Sequence, residues 1–117
     1  MYSYISDRLW IDMTDTSEIF KSLAVDARRE LLMAMVASDR TVQELTDVVS
    51  ISQSAVSQHL ATLKNAGLVR DRKVGRYRYY SLCPDAFQHI EDWLEPFRDA
   101  WLGKLDQLER HLERRKN

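Results

Sequence analysis

The chain has 117 residues, 44% hydrophobic and 30% charged, with a formal net charge of −1. That size fits one domain with a modest core, and the composition excludes a chain that is disordered throughout. A single cysteine, Cys83, excludes an intramolecular disulfide framework and suits a reducing cytosol. With neither a leader pattern nor an apolar run of membrane-spanning length, the expected location is cytoplasmic, with no membrane partner.

Residues 1–14 carry Tyr2, Tyr4, Ile5, Leu9, Trp10 and Ile11, too many apolar groups for a solvated tail, and are expected to form a covering arm. A first helix is predicted from about Thr16, with Ile19, Phe20 and Leu23 at helical spacing. Asp26 is the expected N-cap of a second helix, whose Leu31, Leu32, Met35 and Val36 face inward. Thr41-Val42-Gln43-Glu44 reads as a capping box, in which Thr41 and Glu44 satisfy each other's backbone N–H groups at the start of a short third helix. Ser52 caps a fourth helix running to Ala66, and Gly67 stands where a left-handed residue is needed. The period then shifts from 3.6 to 2. Residues 68–73 and 76–82 form a predicted β-hairpin turning at Gly75, with Tyr77, Tyr79 and Tyr80 favouring strand. Pro84 opens a long last helix with Asp85 in its first turn. Phe87, Ile90, Leu94, Phe97, Trp101, Leu105, Leu108 and Leu112 recur along it, a stripe longer than so small a domain can bury against itself. Pro96 within it predicts a kink or a break.

The expected fold is mainly α with a β-hairpin wing, in the order α-α-α-α-β-β-α: a winged helix-turn-helix over residues 15–83 and a dimerisation helix over 84–117. The charge distribution supports a polyanionic partner. Between Lys64 and Arg78 lie six basic residues and one acid, a window of +5 in a chain of −1, and no Asp or Glu occurs from Val48 through Arg70. In the fourth helix Val56, Leu60 and Leu63 share one face. Gln53, Ser54, Ser57, Gln58, His59, Thr62 and Lys64 lie elsewhere; they are mostly short and uncharged, as side chains that read base edges in the major groove should be. Arg70, Arg72, Lys73, Arg76 and Arg78 on the hairpin are the expected phosphate or minor-groove contacts.

Phe20-Lys21-Ser22-Leu23-Ala24, Asp26-Ala27-Arg28-Arg29, Thr41 to Leu45, Ser52 to Leu60, Leu63 to Val69 and Gly75 to Tyr80 together resemble the ArsR (ArsR/SmtB) family of bacterial repressors over about residues 15–115. The resemblance implies a homodimer built on the first and last helices, with Phe20, Phe87, Ile90, Leu94, Phe97, Trp101, Leu105 and Leu108 at the interface, bound to palindromic double-stranded DNA. Many members sense metals, but here the sequence departs. Gln43 to Asp47 has no Cys-x-Cys, Asp85-Ala86-Phe87 lacks the histidine of the zinc-type site, and His89, Asp92 and His111 make no ligand set by themselves. No metal or cofactor is therefore expected, and a small effector remains open. The alternatives are a protein-interaction module built on the long helix, a metal- or redox-responsive relative using Cys83, and, least of all, an enzyme: with three glycines there is no phosphate loop, and no catalytic set stands out.

Overall fold

The computed structural model describes residues 16–116; the expected arm at 1–14 lies outside them. Residues 16–23 form helix α1. There follow α2 (Asp26–Ala34), β1 (Arg40–Thr41), α3 (Val42–Val48), α4 (Gln53–Asn65), β2 (Val69–Val74), β3 (Tyr77–Leu82) and α5 (Pro84–Lys116). The order is the expected one with one addition. Arg40 and Thr41 pair with Tyr80 and Tyr79, so the hairpin is part of a three-stranded antiparallel sheet, β1-β3-β2.

The helices close on a core of Ile19, Leu31, Leu32, Met35, Leu45, Val49, Val56, Leu60, Leu63, Leu68, Val69 and Ala86. Two expectations at α2 are corrected. Val25, extended and without a side-chain cap, occupies the N-cap, and Asp26 is the first helical residue. Its carboxylate pairs with Arg29 one turn on and lies at the positive end of the helix dipole, so it stabilises the terminus by charge rather than by capping. Val36 is not an inward residue: the helix ends at Ala34, and Val36 is 65% exposed on the bend beyond it.

The other signals hold. Thr41 accepts from the Glu44 backbone N–H at 3.2 Å, and Glu44 Oε1 accepts from the Thr41 N–H at 3.0 Å, completing the capping box. Those hydrogen bonds hold the Glu44 carboxyl below its ordinary range. The Ser52 hydroxyl accepts from the Ala55 N–H at 3.2 Å. Gly67 and Gly75 take φ of +81° and +64°, where a side chain would be strained. At Gly75 this gives a two-residue turn between Val74 and Tyr77, which sets the hairpin register. Pro96 neither ends nor divides α5, which is continuous through it. Pro96 has no N–H to donate to the Asp92 carbonyl one turn back, and that carbonyl lies on a solvent-exposed stretch where water can take its place.

Candidate nucleic-acid interface

Burial fixes how α4 is presented. Val56, Leu60 and Leu63 recur at steps of four and three and are fully buried, which holds one face of the helix against the core. Gln53, Ser54, Ser57, Gln58 and Ala61 are consequently exposed. With Ser52 capping the first turn, the N–H groups of the leading residues point outward beside these side chains, an arrangement that attracts phosphate. Thr62 and His59 are half-buried at the flanks. The Thr62 hydroxyl donates to the Gln58 carbonyl at 3.2 Å, and His59 Nδ1 accepts from Arg28 Nε at 3.2 Å. His59 is thus joined to α2 rather than turned outward with the serines. The α3–α4 connection is short, and α3 abuts α4 through the buried Leu45 and Val49.

The hairpin continues from the end of α4 through Gly67 and the buried Leu68. All five of its predicted cations lie on exposed positions, but they fall into two sets. Arg70, Lys73 and Arg76 make no ion pair among the described residues. Arg72 pairs with Asp39, in the loop before β1, and its guanidinium lies 5.4 Å from the Tyr79 ring centroid. Arg78 pairs with Asp71. Lys64, at the last turn of α4, reaches the same Asp71 at 2.8 Å. In the sequence, Asp71 is simply the one acid among six bases. Its side chain is 8% exposed and holds two cations. The Lys64 and Arg78 hydrogen bonds set its carboxyl below the ordinary aspartate range, and Asp71 in turn raises Arg78. Register explains the contact. Asp71 stands opposite Tyr80, which places Arg78 on the diagonal of the same sheet face.

The residues expected at a subunit interface also divide. Phe87 and Ile90 pack partly against the chain's own core, and the Phe20 ring lies 5.0 Å from Trp93, edge-on. Trp93 also lies 4.7 Å from Phe97, an aromatic contact that falls outside the periodic stripe of the sequence. Leu94, Phe97, Trp101, Leu105 and Leu108 remain exposed; Trp101 is 62% and Leu108 53% exposed. Between Phe87 and Trp101 the stripe forms a shallow apolar groove of about 480 Å³, edged by Glu91 and Arg98.

No group of three or more His, Cys, Asp or Glu among the described residues is placed to hold a metal ion. None of the described helices is long and apolar enough to cross a membrane.

Comparison with known proteins places the chain among related sequences and folds. The family model described as "Bacterial regulatory protein, arsR family" matches residues 26–71, from α2 into the hairpin. The arsenic resistance transcriptional regulator ArsR1 of Pseudomonas putida is 39% identical over 89 residues, covering 73% of this chain and 70% of that protein. The transcriptional repressor SdpR of Bacillus subtilis is 30% identical over 81 residues, covering 69% and 90%. Among solved structures, reduced HlyU from Vibrio cholerae is similar with a TM-score of 0.62 at 28% identity, over 77% of this chain and 96% of that one. A homodimeric winged helix-turn-helix DNA-binding domain from Mycobacterium bovis shares the fold with a TM-score of 0.66 at 23% identity, over 82% and 89%.

Proposed function

The chain belongs to the arsR family of bacterial regulatory proteins, and from that membership we propose that it is a transcriptional repressor acting as a homodimer on a palindromic operator. Family and fold make it a winged helix-turn-helix DNA-binding regulator and not an enzyme. The observation that carries the finer reading is the pairing of two surfaces. An uncharged polar face of α4 (Gln53, Ser54, Ser57, Gln58) stands next to a hairpin whose Arg70, Lys73 and Arg76 have no carboxylate partner among the described residues. The first reads base edges in a major groove, and the second binds phosphates on either side of it.

The exposed stripe from Leu94 to Leu108 supports a second copy as partner. Five large apolar side chains, Leu94, Phe97, Trp101, Leu105 and Leu108, stand uncovered along the outer length of α5. Two chains joined there would present two reading helices, as a palindrome requires. The SdpR relative is named as a repressor, and repression is the direction of control taken up in this proposal. Arsenic, named in the ArsR1 relative, does not carry over: each chain offers one thiol, Cys83, and α3 has none.

The test is a mobility-shift assay on the DNA upstream of the chain's own gene, with wild type beside Lys73→Glu/Arg76→Glu. Arg78 is left intact, because reversing it would set a second carboxylate beside Asp71 and disturb the fold. Wild type is expected to shift the fragment and the double variant to leave it free while melting normally. A double variant that still shifts the fragment refutes the hairpin's role.

A further inference from the structure

The tie between α4 and the hairpin runs through one carboxylate. Asp71 lies on β2, Lys64 on the last turn of α4 and Arg78 on β3, so the carboxylate joins the helix to both strands. Lys64 Nζ sits 2.8 Å from Oδ1, and Arg78 Nη1 donates to Oδ2, leaving one oxygen for each element. A carboxylate whose side chain is 8% exposed is costly to leave unpaired, so the arrangement holds firmly. Both cations remain about half exposed. They border the proposed DNA face, yet they are already engaged.

We infer that Asp71 is a positioning residue for DNA recognition: it fixes the angle between the reading helix and the hairpin, and it withholds Lys64 and Arg78 from phosphate. This rests on the DNA-binding reading above and adds a source of specificity to it. A rigid helix–hairpin pair meets a groove in one orientation only, and two restrained cations bind less of any duplex at random. Asp71 therefore raises the ratio of specific to non-specific binding without touching a base.

The test uses the full-length protein and two labelled duplexes: a site recovered by wild type from randomised DNA, and the same site scrambled. Asp71→Asn keeps the size and one acceptor but loses the charge. The expected result is a fall of about tenfold in affinity for the recovered site, as for one lost charge-assisted hydrogen bond. Affinity for the scrambled duplex holds or rises, and its log–log salt slope steepens by up to about 0.9 for each freed cation that meets a phosphate. A merely structural role would lower both affinities together and leave the slope unchanged, and that outcome overturns the inference. Should Asp71→Asn melt out of the folded state, Lys64→Gln breaks the same tie from an exposed position. It is expected to weaken the recovered site while sparing the scrambled one, and equal loss on both makes Lys64 a phosphate contact and overturns the inference. Failure of wild type to enrich any site refutes the DNA-binding reading itself, a result distinct from an unchanged ratio in the variants.

Discussion

The unpaired cations of the hairpin, Arg70 near its base and Lys73 and Arg76 at its tip, should set how steeply DNA affinity depends on salt. Arg70, Lys73 and Arg76 are the three hairpin cations with no carboxylate partner among the described residues, whereas Arg72 and Arg78 are held by Asp39 and Asp71. Each cation that neutralises a phosphate contributes about 0.9 to the slope of log affinity against log salt. Replacing all three with Gln should flatten that slope by about 2.7 per hairpin. Between 50 and 200 mM salt, that flattening reduces the loss of affinity by about 40-fold per hairpin relative to wild type. The assay is fluorescence anisotropy on a labelled duplex across that salt range, with melting curves to verify folding. An unchanged slope would mean that the hairpin does not meet phosphate, and the assignment of the wing would fall.

Leu105→Glu, which puts a charge within the exposed α5 stripe, is expected to turn a sedimenting dimer into a monomer without lowering helix content; a variant that still sediments as a dimer would place the interface elsewhere. Thr41→Ala removes the acceptor that caps α3 and should cost about 1 kcal/mol, read as a fall of roughly 4–8 °C in melting temperature. Acid should destabilise the fold through Asp71. Its carboxyl is held below the ordinary range by Lys64 and Arg78, so the stabilisation is present above the unfolded-state value and is lost as pH falls below about 4. In Asp71→Asn that part of the acid dependence should be missing from melts taken between pH 3 and 6, and a variant curve that parallels wild type would remove Asp71 as its source.

Much of this architecture is readable in the sequence because local chemistry and periodicity agree. The capping box at Thr41, the Ser52 cap, Gly67 and Gly75 each specify a backbone geometry within a few residues, and each adopts it. The buried face of α4 follows from Val56, Leu60 and Leu63 alone. What the sequence hides is contact between elements. A two-residue strand such as β1 has no period to detect, and Thr41 signals a cap more strongly than a strand. Asp71 and Lys64 are seven residues apart across a change of structure, and Arg78 reaches the carboxylate only through the hairpin register. The division of the hairpin cations into paired and unpaired sets is therefore not legible in the sequence, although each cation is. Asp26 misled because a good capping residue also serves as a first-turn acid, and only the backbone at Val25 distinguishes the two.

An amide NMR titration of the isotopically labelled protein with a short DNA duplex tests directly whether α4 and the hairpin meet DNA. The largest shifts are expected on the first half of α4, Gln53 to Gln58, and on the hairpin at Arg70, Lys73 and Arg76, with the outer half of α5 unmoved. Shifts concentrated on Leu94 to Leu108, with α4 and the hairpin silent, would contradict that contact.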